Sequence, residues 1–594
     1  MPTYKTPIRD MQFVYKELLN PEEIQALPGY EECSPDLIDA ILDGAGSFCE
    51  EKIQPLNRIG DEEECQWDNG KVTTPPGFKE VFNEYCELGL NNITASTEYG
   101  GQGLPSLVGS MVEEMVSSTC PAFGTYPGLT NGAMNAIKAS ASDELKNAYL
   151  PNMTAGKWTG TMCLTEPHCG TDLGMCRTKA EPNADGSWKL SGQKIFISSG
   201  DHDLAENIIH LVLARTPDAP EGIKGISLFL VPKVQVKTDG SLGDPNGVSC
   251  GAIEHKMGYH GNATCVINFD DAEGYLVGTQ HKGMKAMFIM MNDARLGVAL
   301  QGLGAAEAAR QGSVEYAKDR IQGRALTGPK NPDKPADPLT VHPDVRKMLL
   351  TQRAFTEGNR AFAYWVSTEL DHSTHNPDEK RRQEAEDFVA LMTPITKSFM
   401  TDTGSEIANL GVQIYGGHGY VREWGMEQIV RDARIAQIYE GTNGIQALDL
   451  VGRKLSMHMG RYLRGFFHPV AAYLETRQDV EHLKPLHAGL SKAFDRLQRA
   501  TGFIVQKSMA NPNEAGAASS DYLRLFALVT LAYLWMRMAE IAATKLGGGE
   551  DVFYQAKIDP ARFYFERILP ESGALFSKIL AGGDSMMSFN DDAF

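Results

Sequence analysis

Met162-Cys163-Leu164-Thr165-Glu166-Pro167-His168-Cys169-Gly170-Thr171-Asp172 stands where the chain changes its hydrophobic period, and the fold follows from what flanks it. Upstream the period is helical. Ser34 is a good N-cap, Pro35 suits a first helical position, and Leu37, Ile38, Ile41 and Leu42 follow at helical spacing. Further helices are expected to about residue 158. From about 160 to 280, short β-branched and apolar runs at 195–197, 208–213, 226–231 and 266–269 alternate with turn residues. Asp185-Gly186 predicts a hairpin within them. After Gly283 the helical period returns and persists to about 463, except where Pro329, Pro332, Pro335, Pro338 and Pro343 rule out a continuous helix. Beyond, helices are predicted over 483–509, 518–546 and 560–581, with 511–520 as a small-residue linker. The predicted class is therefore α+β, mostly α. Its parts are a lead segment with a helical domain (1–160), a β domain (161–280), a long-helix bundle (281–463) and an additional helical domain (464–594).

Length and composition narrow the function classes. A chain of 594 residues exceeds one core, so several domains are expected. The net charge of −20 argues against broad nucleic-acid binding. Residues 464–594 hold no excess of basic over acidic side chains, which argues against a duplex-binding extension. The 10 cysteines include no Cys-x-x-Cys pair, so buried free thiols in a reducing cytoplasm are expected, and no metal site. The first ten residues lack the apolar core of a signal peptide. The apolar run 525–536, edged by Arg524 and Arg537, is too short to span a bilayer and predicts a buried helix.

Ile438-Tyr439-Glu440-Gly441-Thr442-Asn443 puts one carboxylate on a short bend beside a glycine. Such a carboxylate can act as a base at a weakly acidic carbon, because the glycine lets the backbone approach a substrate closely. Together with the 162–172 motif, Gln413-Ile414-Tyr415-Gly416-Gly417-His418-Gly419-Tyr420 and Lys194-Ile195-Phe196-Ile197-Ser198-Ser199-Gly200, it resembles the acyl-CoA dehydrogenase family, in order and spacing, over roughly 35 to 455.

The resemblance implies that family's fold, FAD as cofactor, and removal of a proton and a hydride from the carbons α and β to a thioester. Side chains cannot accept hydride, so the cofactor must. By position, Glu440 matches the base, and its backbone N–H with a ribityl hydroxyl matches the donors to the thioester oxygen. Some relatives place the base just before the arginine matching Arg295; here Ala294 stands there and Asp293 is a distant second choice. For FAD the resemblance implies Met162, Leu164 and Thr165, the wall residue Phe196 with Ser198, Arg320, Gln413, Gly416, Gly417 and Thr442. For the acyl-CoA it implies Thr171, Arg295, Tyr439 and Gly441. His418 reads instead as a satisfied loop residue, and 287–291 as core.

The C-terminal extension and the run 291–295 resemble a bacterial subgroup acting on 3-methylthiopropanoyl-CoA or on fatty acyl-CoA of medium or long chain. An electron-transfer flavoprotein as acceptor and a homodimer or homotetramer are implied. Two alternatives stand beside this expectation: an acyl-CoA oxidase that reduces oxygen, and a DNA-associated homologue.

Overall fold

The computed structural model describes residues 2–237 and 239–594; Met1 of the lead segment and Thr238 of the β region lie outside the described residues. The chain divides into two compact units, one from Asp43 to Gly297, the other from 298 to the C-terminus together with the lead segment to Leu42.

The first of these units opens with helices that include α1 (Ser106–Thr119), α2 (Pro121–Ser140) and α3 (Asp143–Thr154). Its seven-stranded sheet comprises β1 (Trp158–Cys163), β2 (Lys179–Pro182), β3 (Trp188–Ser198), β4 (Asn207–Arg215), β5 (Ile226–Pro232), β6 (Val248–Ile253) and β7 (Thr264–Val277). The order is β6-β7-β3-β2-β4-β1, and β5 closes the path by pairing with both β7 and β4. A closed path leaves few unpaired edges. β4 pairs parallel with β1 and antiparallel with β5, and both β4 and β5 are buried almost throughout. That burial explains their unbroken apolar sequence, because neither face meets water. One core lies between the sheet and α2 and α3, joining Ile137, Tyr149, Met153 and Trp158 to Ile209, Leu211, Leu213 and Met290. The methionines 287 and 290 are fully buried there, as core. The 183–187 turn, with Gly186 at φ 89°, makes the expected hairpin between β2 and β3.

The other unit is helical. Its bundle consists of the later part of α4 (Gly283–Asp319), α5 (Pro343–His375), α6 (Glu379–Tyr415), α7 (Met426–Ile435) and α8 (Asn443–Asp449). Gly302 and Gly404 let α4 and α6 cross backbone to backbone; a Cβ at Gly404 would meet the Gly302 oxygen at 2.4 Å. The proline-rich stretch between α4 and α5 forms no α-helix, only a 3-10 turn at Leu339–Val341, and is organised by Asp337, which accepts from the N–H groups of Ala325, Lys330 and Asn331 at 3.0, 3.0 and 2.8 Å.

The extension supplies α9 (Arg461–Arg477), α10 (Lys484–Ala510), α11 (Pro512–Lys545), α12 (Asp551–Phe563) and α13 (Glu571–Ala581). Among the described residues α11 alone is long and apolar enough to cross a membrane, and it is largely enclosed by protein. It docks on α5 where the Trp535 indole donates to the Ala354 oxygen at 3.0 Å.

The expected linker at 511–520 is absent: only Asn511 is non-helical, and its side chain accepts from the Asn513 N–H at 3.1 Å. An Asn cap, Pro512 in the first turn and an alanine-rich continuation start a helix where small residues alone suggested a spacer. The predicted helix over 560–581 is likewise broken near Leu569 and Pro570.

Candidate active site

Glu440 lies between the end of α7 and the start of α8, half-buried, with φ 55°. Gly441 follows at φ 85°. α7 has already ended at Ile435, and the two successive left-handed residues turn the chain so that α8 starts after Thr442. α6 holds the segment from beneath. The Lys397 ammonium donates to the Gly441 oxygen at 2.8 Å and to Asn443 Oδ1 at 2.9 Å. Gln446 Nε2 donates to the same Gly441 oxygen at 3.2 Å. The Tyr439 hydroxyl donates to Gln301 Oε1 of α4. Glu440, Gly441, Tyr439 and Thr442 are thus brought together on one rigidly backed bend.

At the far ends of α4 and α6 the same unit gathers Arg320, Gln413, Gly416 and Gly417, all exposed. Gly416 is at φ 60°, and a Cβ added at either glycine would meet nothing within 4 Å, so the turn offers open backbone to a ligand. An aromatic cluster fixes it: Tyr316 stacks on Tyr415 at 4.1 Å between ring centroids, and His418 on Trp424 at 4.2 Å. His418 Nδ1 also meets the Tyr316 hydroxyl at 3.0 Å, which makes it a partnered loop residue.

In the other unit, Met162 and Leu164 are half-buried against the sheet-and-helix core, and Thr165 follows at the end of β1. The Ile195 N–H donates to the Thr165 oxygen at 2.9 Å, which ties this segment to β3. Phe196, at φ 56°, is 59% exposed, while its neighbour Ile197 is 2% exposed. A large aromatic side chain held outward by a left-handed backbone, beside half-buried Ser198, fits the wall of a flat apolar ring system such as a flavin. Thr171 lies exposed in the loop after β1. Arg295 is buried on α4, two residues beyond Asp293.

Beneath this segment sits a network in which the sequence motif gave no roles. Lys194, fully buried on β3, donates to the Leu164 oxygen at 3.0 Å and to Glu166 Oε1 at 2.9 Å. Glu166 also accepts from the Thr178 hydroxyl at 2.6 Å and from the N–H groups of Arg177 and Thr178 at 2.8 and 3.0 Å. Burial raises its pKa, but Lys194 and these donors bring it down to about 2. Glu166, His168 and Cys169 have metal-like proximity, yet the Lys194 ammonium already occupies the carboxylate, and His168 Nε2 is bonded to the Met175 oxygen at 2.9 Å. The cluster is a hydrogen-bonded buttress.

A carboxylate pair lies on α1 and α4. Asp293 accepts from Asn135 Nδ2 at 2.8 Å, and Glu113 lies against Gly297, one turn beyond Asp293. Burial and the Asp293 charge raise Glu113 to about 7, and burial raises Asp293 to about 6. The sequence missed Glu113, Lys194 and Lys397. No local pattern marked them: β3 also carries Lys189, Ser191 and Gln193, and α6 is charged at its start, so only the tertiary contacts single these side chains out.

Residues 36–157, 161–272 and 281–455 match the N-terminal, middle and C-terminal domains of acyl-CoA dehydrogenase, and 466–590 match the acetyl-CoA dehydrogenase C-terminal-like domain. The chain belongs to the acyl-CoA dehydrogenase family, whose cofactor is FAD and whose members are oxidoreductases. It is 41% identical to 3-methylmercaptopropionyl-CoA dehydrogenase of Ruegeria pomeroyi, covering 99% of each chain. It is 31% identical to a broad-specificity linear acyl-CoA dehydrogenase of Mycobacterium tuberculosis, covering 100% of each. The solved acyl-CoA dehydrogenase of Bacillus anthracis complexed with FAD, 22% identical, shares the fold with a TM-score of 0.74 over 94% of this chain and 90% of that one.

Proposed function

We propose that the protein converts an acyl-CoA thioester to the trans-2-enoyl-CoA, with Glu440 taking the α proton. The observation that carries this reading is the conformation of Glu440, held beside Gly441 on a backed bend, where an ordinary surface turn needs no such support. The Glu440 N–H donates to the thioester oxygen, so negative charge developing there during proton removal is stabilised. FAD, when bound, accepts the hydride from the β carbon. Leu164 and Thr165 meet the flavin with backbone and hydroxyl groups, Phe196 and Ser198 flank its ring, and Thr442 contacts it through its hydroxyl. Arg320, Gln413, Gly416 and Gly417 cradle the dinucleotide part of FAD from a neighbouring subunit of a homodimer or homotetramer. Thr171, Arg295 and Tyr439 face the CoA ester.

The substrate class proposed first is 3-methylmercaptopropionyl-CoA, supported by full-length similarity to the Ruegeria pomeroyi enzyme. A fatty acyl-CoA is the second reading, supported by the mycobacterial relative. Electrons pass to an electron-transfer flavoprotein. The ten cysteines are all free thiols, which suits a reducing cytoplasm.

The test is anaerobic bleaching of the flavin across a panel of acyl-CoA esters, followed by turnover with an electron-transfer flavoprotein or with oxygen. Fast bleaching by 3-methylmercaptopropionyl-CoA, with turnover dependent on the flavoprotein, is expected. Hydrogen peroxide as the main product would identify an oxidase, and no bleaching by any ester would contradict the reading.

A further inference from the structure

Lys397 is fully buried in α6, in a stretch where Ile395, Phe399 and Met400 are also buried. Removing an ammonium from water is expensive, and an apolar side chain of similar length would fill the space without that cost. The ammonium is therefore informative, and its hydrogen bonds say what it holds. It reaches the Gly441 oxygen at 2.8 Å and Asn443 Oδ1 at 2.9 Å. The Asn443 amide is committed on both sides: Nδ2 donates to the Ser398 oxygen, Thr401 Oγ1 and Asp402 Oδ1 at 3.2, 3.0 and 2.7 Å. Asp402 also accepts from Gln437 Nε2 at 2.6 Å, and the Asn443 N–H closes the loop by donating to the Gln437 oxygen at 3.1 Å.

Lys397 and Thr401, one turn apart on α6, and the adjacent Asp402 grip both ends of the 437–443 loop. Glu440 lies between the gripped ends at φ 55°, a conformation that side-chain-bearing residues leave unless their surroundings over-determine it. We propose that Lys397 is a positioning residue for the reaction: through Gly441 and Asn443 it keeps Glu440 left-handed and so holds the base aimed at the α carbon. This rests on the reading of Glu440 as the base. Lys397 acts through the loop, by its bonds to Gly441 and Asn443. The role predicts a loss in the chemical step with binding left intact, since a base displaced by about 1 Å costs on the order of 10²-fold in rate.

The experiment compares wild type, Lys397→Met, Asn443→Ala and the double variant as full-length holoenzymes. Anaerobic stopped-flow at saturating acyl-CoA reads the limiting rate of flavin reduction, and titration with the enoyl-CoA product reads binding. Expected are flavin content and product affinity within about threefold of wild type, with a limiting rate lowered on the order of 10²-fold. The double variant should be no slower than the slower single one, because the two residues act as one clamp. Hydrogen–deuterium exchange of the backbone, independent of turnover, should quicken in 437–443 and nowhere else. Should Lys397→Met not fold, Asn443→Ala carries the same comparison. A rate within threefold of wild type, losses of binding and flavin in step with rate, or unchanged exchange in 437–443 would each overturn the proposal. If wild type is bleached by no acyl-CoA, the dehydrogenase reading fails instead, and the exchange measurement alone then decides the clamp.

Discussion

Single residues in this protein are held where ordinary packing would not leave them. Phe196 is exposed and left-handed, which serves no core. Phe196→Gly is therefore expected to leave the thermal midpoint of the apoprotein unlowered, because glycine relieves about 1–2 kcal/mol of backbone strain, while flavin affinity falls. Calorimetry of the apoprotein with a flavin titration checks both, and a lowered midpoint would mean that Phe196 packs against protein after all. Asp293 bears on the choice of base. Hydrogen-bonded to Asn135 and raised to about 6, it is the rival carboxylate on α4. Asp293→Asn should keep flavin reduction within about tenfold of wild type, well short of the 10²–10⁴-fold typical of a lost general base; a larger loss would move the base to α4. Ala294 and the Glu440 bend were both legible in the sequence. The buried lysines were not. A lysine between apolar residues in sequence reads equally as a stem lying along the surface, and only tertiary contacts bring Lys194 to the Leu164 oxygen and Lys397 to the Gly441 oxygen.

At the scale of elements, charged side chains bind segments that are far apart in the chain. His260 donates from Nδ1 to Asp61 at 3.0 Å and from Nε2 to the Lys256 oxygen at 2.7 Å, and the Asp61 hydrogen bond raises its pKa to about 9. A histidine whose pKa is raised on folding stabilises fully below its unfolded value near 6.5. That contribution is lost as pH rises through about 9. The thermal midpoint should therefore fall between those values in wild type and lose that part of its pH dependence in His260→Gln. A cluster in the helical unit is larger. Lys557 of α12 pairs with Glu357 at 2.7 Å and with Asp10 of the lead segment, and Asp10 pairs in turn with Arg360 of α5. Removing one member strands the others, so Lys557→Met is expected to destabilise by about 3–5 kcal/mol, read by denaturant titration. A change under 1 kcal/mol would mean that water reaches the cluster. Element types were legible where apolar runs were long and bounded by polar residues, as in β4, β5 and α11. The start of α11 was not, because Ala-Ser composition suits a spacer as well as a helix until Asn511 and Pro512 are seen to cap it.

For the whole molecule, the extension is built into the helical unit. Trp535 bonds to α5, Lys557 reaches the lead segment, and the centre of α11 is buried on every side. A chain ending near residue 463 should accordingly be insoluble or unfolded, since its bundle would expose the apolar surface that α11 covers. A soluble, flavin-binding truncation would show that the bundle stands alone. Glu440 is the proposed base. The most direct measurement is anaerobic stopped-flow reduction of wild type and Glu440→Gln by the acyl-CoA that bleaches wild type best. The variant is expected to retain its flavin and bind the ester, with reduction slower by about 10³-fold or more; reduction at a near-normal rate would remove Glu440 from the mechanism.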